Sequence, residues 1–276
     1  MDKNVAVRLL DQTIEGLSER SSELEEREKS LAATVDQLQL ANDDMQHFMH
    51  VASHDLKTPL RSIGSFASLI KRRVGDSLGS EIKEHFGYII RSAKSMNRVI
   101  DDLVRFNGVA QNRKTEEVDL DEIAAEVVHN LYADISANMA KVEVKKLGTA
   151  MAYRSAVSQL LQNLIRNSIV YRHPDRLPEI SVSYMELDSR RVLTVRDNGI
   201  GLDNEYQEKA FLPFKRVGDV TKPGTGMGLA ICRRIVRKLG GDIWYDGIVG
   251  VGTTFYVSFE VPASKPVEVK VIERAA

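Results

Sequence analysis

Cysteine is almost absent from this chain of 276 residues, which has one, Cys232. A single thiol cannot form a disulfide within the chain, so a disulfide-stabilised secreted fold is excluded and a reducing compartment, the cytoplasm, is expected. An excess of charge is missing too, because 38 basic and 39 acidic residues give a formal net charge of −1. That balance gives no reason to expect nucleic acid or an anionic membrane as a partner.

Long apolar runs are also missing. No stretch approaches the roughly 20 apolar residues that a membrane-spanning helix needs, and the amino terminus is polar without a secretory pattern. We therefore expect a soluble chain with no membrane segment, which could still be the cytosolic end of a longer receptor. The length allows two modest domains and a helical extension.

A heptad repeat dominates the amino-terminal part and predicts a coiled coil over residues 1–44. One apolar series recurs every seven residues, at Leu10, Leu17, Leu24, Leu31, Leu38, Met45 and Ala52. A second series lies three residues before members of the first and continues through Leu56, Ile63 and Ile70. Polar Ser21, Glu28 and Asn42 weaken this seam. The repeat fits either a plain dimerising coil or a signalling helix whose marginal seam rotates or slips.

Residues 54–60, His-Asp-Leu-Lys-Thr-Pro-Leu, stand within that repeat. Pro59 costs a helix interior about 3 kcal/mol, which predicts a bent or loosened helix there. The heptad phase turns His54 away from the seam, where its imidazole can meet a second molecule. Asp55 can hold the ring proton while the other nitrogen attacks an electrophile, and Thr58 can orient a water on the same face.

A second helix is predicted from about Glu81 to Asn107, after a turn that is rich in glycine, serine and aspartate. The two helices form a hairpin over residues 45–110. Because a hairpin cannot cover both of its apolar stripes alone, two copies are expected to pair as a four-helix bundle, which makes the chain a homodimer.

A polar linker at residues 111–117 precedes a predicted α/β domain at 118–264 and a tail at 265–276. Asp119 resembles a helix cap, and a strongly apolar helix is predicted from about Arg154 to Tyr171. Alternating apolar residues near Ile180 and Phe255 predict antiparallel strands that carry the helices on one face.

Three polar segments of this domain carry candidate chemistry. Asn163 and Asn167 share a helix face and could ligate Mg²⁺ or bind phosphates, although satisfied polar residues at a helix border would look the same. Asp197-Asn198-Gly199-Ile200-Gly201 follows a strand and places an acceptor for an adenine amine beside an open backbone, or it is an ordinary glycine turn. The segment from Gly224 to Leu229 opens a helix as an anion site, without the lysine of a Walker motif. This helix is predicted to run through Leu239 and to end at Gly240.

These motifs together resemble those of sensor histidine kinases. Residues 53–60 resemble the phosphoacceptor box, and the segments that begin at Asn163, Asp197, Phe211, Gly224 and Gly252 resemble the family's nucleotide boxes in the family's order. The resemblance covers roughly residues 48–262. It implies an α+β protein, in which a coiled coil leads into a dimeric helical hairpin followed by an α/β sandwich ATP-binding domain, shared with heat-shock-90 chaperones and type II topoisomerases.

The resemblance also implies roles. His54 would be the phosphoacceptor, Asp55 its acid–base partner and Thr58 the residue for a phosphatase reaction. ATP and Mg²⁺ are the implied cofactors, with Asn167 as metal ligand and a lid over residues 215–223. The implied nucleotide-binding residues are Asn163, Asn167, Tyr171, Asp197, Gly199, Gly201, Arg216, Gly224, Thr225, Gly226, Met227, Gly228, Leu229 and Thr253. The implied partner is the receiver domain of a response regulator.

The sequence departs from the family pattern at two places. Val170 stands where the family often has a lysine, which leaves one phosphate contact either missing or supplied by Arg172 or His173. Ala152-Tyr153 replaces a common Gly-Asp pair. Residues 171–176 resemble the phytochrome-type subgroup, which would place a PAS, GAF or photosensory module before residue 1.

Three other functions fit parts of the sequence. His47, His50 and His54 could bind a metal from the outer helical face. A chaperone-like ATPase or a serine kinase could share the nucleotide fold, but would leave Asp55, Thr58 and Pro59 unexplained. A non-catalytic dimeric scaffold would account for Val170.

Overall fold

The structure, a computed structural model, describes residues 3–74, 79–108, 115–187, 190–218, 222 and 224–258. The predicted turn at Gly75–Ser77, most of the linker, the outer part of the lid and the tail 265–276 lie outside those residues. The chain divides into two compact units, residues 1–54 and residues 55–276. Within the described residues, no helix is long and apolar enough to cross a membrane.

Helix α1 (Lys3–Val74) confirms the helix that the heptads predict. In the first unit, Leu17, Leu24, Leu31 and Leu38 are between 60% and 66% exposed. The expected loosening at Pro59 does not interrupt the helix, which is assigned over 72 residues. A proline removes a single amide donor, so the neighbouring turns of a long helix can carry it through.

Helix α2 (Ser80–Gly108) forms the predicted hairpin with the second-unit part of α1. Lys57 Nζ lies 2.5 Å from Asp101 Oδ1. Nearer the turn, a Cβ on Gly64 would lie 3.5 Å from the Cβ of Ala93, so the helix backbones approach closely there. These two contacts fix the antiparallel register of the hairpin.

The α/β part contains a mixed five-stranded sheet of order β2-β4-β5-β7-β6. Its strands are β2 (Lys141–Val144), β4 (Glu179–Leu187), β5 (Arg190–Asp197), β6 (Ile243–Ile248) and β7 (Gly252–Ser258). All neighbours are antiparallel except β2 and β4, which are parallel. The sheet therefore differs from the antiparallel one that alternation alone predicted, because alternation does not specify strand direction.

Two short strands, β1 (Glu116–Asp119) and β3 (Thr149–Ala152), pair antiparallel in a sheet of their own. Sequence reasoning missed both, as well as β6. The polar sequence of β1 looks like linker, and Glu116 and Glu117 of the predicted linker lie in it. Val118 is the buried residue that ties this strand to the core.

The core lies between the large sheet and the helices α3 (Leu120–Asn130), α5 (Arg154–Val170) and α7 (Gly228–Lys238). The described residues also form two shorter helices, α4 (Tyr132–Ala137) and α6 (Gln207–Ala210), and a 3-10 turn at Asn204–Tyr206. Cys232 of α7 is fully buried, its thiol 4.0 Å from the carbonyl of Leu160 on α5, and burial raises the pKa of this thiol to about 12.

Local signals placed the ends of two helices correctly. The Asp119 side chain accepts hydrogen bonds from the amides of Asp121 (2.9 Å) and Glu122 (3.2 Å), which confirms the predicted cap of α3. Helix α7 ends before Gly240, whose φ of 72° is the left-handed conformation typical of a helix C-terminus.

The Asp121 carboxylate fastens α3 to the segment before β3. Its oxygens accept from the amides of Leu147 (2.8 Å) and Gly148 (3.0 Å), and these two hydrogen bonds lower the pKa of the Asp121 carboxyl. A carboxyl with a lowered folded-state pKa stabilises the fold above its unfolded pKa, and that stabilisation is lost as the pH falls through the folded pKa.

We predict that Asp121→Asn lowers the free energy of unfolding at neutral pH, because an amide cannot accept both backbone hydrogen bonds. The difference from wild type should vanish once the wild-type carboxyl is protonated. Urea denaturation across acidic to neutral pH measures it, with Asp134→Asn at an exposed position of α4 as the matched control. An equal loss at every pH would contradict the assignment.

Candidate functional site

A cavity of about 420 Å³ lies within the second unit, a volume in the range of small-molecule sites. Its walls come from α5, the loop after β5, the segment before α7 and the end of α2. Among the sequence-predicted site residues, those that line it are Asn163, Asn167, Tyr171, Asp197, Gly201, Arg216, Gly224, Thr225, Gly226, Gly228, Leu229 and Thr253.

Asp197 is the most heavily hydrogen-bonded group in this cavity. Its Oδ1 accepts from the amides of Gly199 (2.9 Å) and Thr253 (3.2 Å), and its Oδ2 accepts from the hydroxyl of Ser168 (3.0 Å). Burial raises the pKa of the Asp197 carboxyl, while the hydrogen bonds and nearby Arg176 oppose that rise. Because a carboxylate has about four lone-pair directions, three donors leave one direction available.

Arg176 fixes the loop that follows Asp197. Its guanidinium donates to the carbonyls of Asn198 (2.7 Å), Gly199 (3.0 Å), Gly250 (2.7 Å) and Val251 (2.9 Å), which joins this loop to the turn between β6 and β7. The packing leaves no room for a side chain at Gly199, where a Cβ would lie 2.9 Å from Asp197 Oδ1. Gly199 thus shapes the loop, but does not line the cavity.

The asparagines of α5 meet the start of α7. Asn163 Nδ2 donates to the carbonyl of Gly228 (3.3 Å), and the amide group of Asn167 lies about 4 Å from where a Cβ on Gly228 would be. The helical spacing puts both amides on one face of α5, as predicted, and the structure shows that this face meets the glycine segment. Asn163 therefore also has a structural role.

The segment before α7 turns sharply at Gly226. Its φ is 74°, and a Cβ there would lie 2.8 Å from the carbonyl carbon of Phe214, so only glycine fits. Met227, which the resemblance placed with the nucleotide-binding residues, is fully buried in the core. Its backbone belongs to the glycine segment, while its side chain anchors that segment to the domain.

Several cations line the cavity, although Val170 occupies the position where the family often has lysine. Arg166, Lys215 and Arg216 all contribute to the lining. The two substitutes that the sequence suggested lie elsewhere: the Arg172 guanidinium donates to Ile169 O, and His173 Nδ1 accepts from the amide of Asp175. Arg166, one turn before Val170 on α5, gave no signal in the sequence that separated it from a surface arginine.

The residues of the phosphoacceptor-like box lie on α1. His54, Asp55 and Thr58 are exposed, as the heptad phase predicted for His54. Within the described residues, no cluster of three or more histidine, cysteine or acidic side chains could hold a metal. His47 and His54 are exposed, and the side chain of His50 lies outside the description.

Besides Arg166, sequence reasoning missed Ser168, Arg176 and the wall from α2. Ser168 looked like one small residue in an apolar helix, and Arg176 acts through contacts to residues far along the chain. The wall from α2 gave no signal at all, because its lining residues Arg98, Asp101, Asp102 and Arg105 read as an ordinary solvated helix face.

Two family descriptions match the chain. Residues 44–107 match "His Kinase A (phospho-acceptor) domain", and residues 152–264 match "Histidine kinase-, DNA gyrase B-, and HSP90-like ATPase". The cavity lies chiefly within the second match, and residues 54–60 within the first.

Curated relatives include a phytochrome-like protein and a regulatory histidine kinase. The chain is 32% identical over 235 residues to phytochrome-like protein Cph1 of Synechocystis. The aligned region covers 84% of this chain and 31% of that protein. It is 30% identical to the methanogenesis regulatory histidine kinase FilI of Methanothrix harundinacea, over 84% of this chain and 26% of that protein. The chain thus spans about a third or less of these relatives.

A solved structure with the same fold is full-length ShkA in complex with AMPPNP. It aligns with a TM-score of 0.59 at 21% identity, covering 79% of this chain and 47% of ShkA. At that identity the likeness speaks for the fold alone: long helices followed by an α/β domain with a mixed sheet.

The hydrogen bond from Ser168 opposes the rise in the pKa of Asp197, so its removal is a test of the electrostatics of the site. We predict that Ser168→Ala raises the pKa of Asp197 further, because the lost hydroxyl no longer stabilises the carboxylate against burial. Carbon-13 NMR titration of the aspartate carboxyl groups measures this shift. Ser183→Ala, which removes a hydroxyl bonded to Thr194 on the same sheet, is the control and should leave the Asp197 titration unchanged. A lowered pKa in Ser168→Ala would contradict the assignment.

Proposed function

Because this chain belongs to the sensor histidine kinases, with both their phosphoacceptor and ATPase domains, we propose that it phosphorylates His54 from Mg-ATP and passes the phosphoryl group to an aspartate of a response regulator. One observation carries the proposal. The same chain holds an exposed histidine in the acceptor box and a cavity whose partly buried carboxylate, Asp197, keeps one acceptor direction for a ligand.

Adenine recognition rests on Asp197. The exocyclic amine of adenine is a donor and suits the remaining lone pair, whereas guanine would present a carbonyl oxygen to the carboxylate. Tyr171 and Thr253 line the same cavity and would enclose the base. The backbone at Gly201, which lines the cavity, would approach the ring, and Gly199 would hold the shape of the loop.

The phosphate end would lie at the glycine segment. The Nε of Arg216 is buried and has no hydrogen-bond acceptor within the described residues, as expected of a donor that waits for a ligand oxygen. Arg166 and Lys215 add positive charge, so Val170 does not leave the phosphates without a cation. Gly224, Gly226, Gly228 and Leu229 would supply backbone contacts at the start of α7.

A magnesium ion would arrive with the nucleotide. Mg²⁺ usually takes few protein ligands and completes its shell with phosphate oxygens and water. The cavity offers such a ligand, since the side-chain amide of Asn167 lines it. Within the described residues, no cluster of three or more acidic, histidine or cysteine side chains competes for the ion. When bound, the ion would neutralise phosphate charge.

At the acceptor box, one ring nitrogen of His54 would attack the γ-phosphorus. The N–P bond forms as the bond from phosphorus to the ADP oxygen breaks, and Asp55 takes the proton from the other ring nitrogen. General-base assistance of this kind is worth about 10² to 10⁴ in rate. Thr58 would orient the water in the reverse, phosphatase reaction.

The apolar surface of the helices supports a homodimer. Leu56, Ile63 and Phe66, which continue the heptad seam, are at least half exposed in the single chain. Pairing of two hairpins would cover them in a four-helix bundle. We assign residues 1–44 to the signalling coil, 45–110 to the phosphoacceptor hairpin, 111–117 to a linker and 118–264 to the ATP-binding domain.

Input and output would come from other modules. The chain spans about a third of its phytochrome relatives, so a photosensory or PAS-type module in the same polypeptide is the proposed source of the signal. The receiver domain of a response regulator is the proposed acceptor. A requirement for ATP supports the cytoplasm as the proposed location of the reaction.

We predict that His54→Ala abolishes autophosphorylation while the affinity for Mg-ATP stays within about twofold of wild type, because the exposed ring is not needed to form the cavity. Radiolabelled ATP and calorimetry measure the two quantities. His47→Ala, on the same helix, is the control and should label normally. An acid-labile phosphoprotein formed by His54→Ala would place the acceptor elsewhere.

We predict that Asp197→Asn removes measurable ATP binding. An asparagine amide would point its own donor at one of the groups that now donate to the carboxylate, and it would lose the acceptor for the adenine amine. Calorimetric titration with Mg-ATP measures the loss, and circular dichroism shows whether the fold survives. Wild-type affinity in a folded Asp197→Asn variant would rule out the adenine assignment.

A further inference from the structure

The glycine segment is joined to α2 by a hydrogen bond that spans 123 residues of sequence. The Thr225 hydroxyl donates to Asp102 Oδ2 at 2.5 Å, in a partly buried position. That distance is in the range of charge-assisted hydrogen bonds between a hydroxyl and a carboxylate.

A second hydrogen bond carries this contact into the backbone. The amide of Met227 donates to Thr225 Oγ1 at 3.3 Å, so a chain of two bonds runs from the Asp102 carboxylate through the Thr225 hydroxyl to that amide. Met227 caps the start of α7, next to Gly226 with its left-handed backbone. Because the Thr225 proton is directed at Asp102, the hydroxyl oxygen is oriented to accept from the amide.

A separate contact supports the same face of α2. The Arg234 guanidinium of α7 lies 4.4 Å from the ring centroid of Phe106, one turn after Asp102. The neighbouring acid, Asp101, also lines the cavity, but is paired with Lys57 of α1. The two acids therefore make different contacts: Asp101 pairs within the hairpin, and Asp102 bonds to the glycine segment.

We propose that Asp102 is a positioning residue for nucleotide binding, which acts through Thr225 to order the glycine segment for the phosphates. The inference rests on the proposed function, since it assumes that the glycine segment holds the phosphates of ATP. It links the helical hairpin to the phosphate end of the cavity, so a movement of α2 would alter the grip on the nucleotide.

The register of the hairpin brings the contact between Asp102 and Thr225 close to the acceptor box. Since Lys57 pairs with Asp101, the turn of α2 that holds Asp102 lies level with residues 55–58 of the acceptor box. A displacement of the hairpin at the acceptor box would thus reach the glycine segment directly through Asp102.

The test uses the 276-residue chain with Asp102→Ala, with Thr225→Val and with both substitutions, and Mg-ATP and adenosine are the probes. Each single variant should weaken Mg-ATP binding about tenfold, the effect of losing one hydrogen bond to a charged group, and the double variant no further. Adenosine has no phosphates, so its affinity should not change. Thr225→Ser, which keeps the hydroxyl, should recover most of the Mg-ATP affinity that Thr225→Val loses.

Three results would overturn the proposal: additive losses in the double variant, equal weakening of adenosine and Mg-ATP, or tighter Mg-ATP binding in the single variants. Tighter binding would mean that Asp102 holds the segment away from the phosphates.

A second measurement does not depend on nucleotide. Amide hydrogen exchange of residues 224–229 in the nucleotide-free chain should speed up about tenfold in Asp102→Ala and in Thr225→Val. It should stay unchanged in Glu81→Ala, the matched control, which removes an exposed acid at the other end of α2. Failure of the wild-type chain to bind any nucleotide would defeat the proposed function, while unchanged exchange in the Asp102 and Thr225 variants would defeat this inference alone.

Discussion

The partly buried carboxylate of Asp197 is the constraint on which the candidate site depends. A desolvated negative charge is costly unless donors surround it, and here the donors come from the loop after β5, from α5 through Ser168 and from β7 through Thr253. These elements are far apart in sequence and meet only when the sheet and its helices have packed. The acceptor for a ligand therefore exists only in the folded domain, and its environment reports on the packing of three elements at once.

Sequence reasoning succeeded where the signals are local. The cap at Asp119, the end of α7 before Gly240 and the apolar helix of the asparagines all follow from a few neighbouring residues. The order of the two domains that the family resemblance implied is confirmed by the two family matches. Most of the predicted nucleotide residues line one cavity, although Gly199 shapes the loop and Met227 lies in the core.

The same reasoning failed where the outcome depends on distant contacts. The parallel pairing of β2 with β4, the small sheet of β1 and β3, and strand β6 depend on which segments meet, which a short polar sequence does not encode locally. Arg176 donates to the carbonyls of Gly250 and Val251, which lie 74 and 75 residues further along the chain. No residue near Arg176 in the sequence indicates that role. The wall formed by α2 could not be foreseen either, because it requires the relation between the hairpin and the α/β part within the second unit.

The burial of Cys232 has a practical consequence. A thiol that is fully enclosed between α5 and α7, with its ionisation strongly suppressed, is a poor nucleophile towards alkylating reagents and oxidants. Since the chain has no other cysteine, one introduced on an exposed helix turn would be the site that takes up a maleimide label. Fluorophores or spin labels could then follow the helices in the otherwise unaltered chain, with the native sulfur left in place.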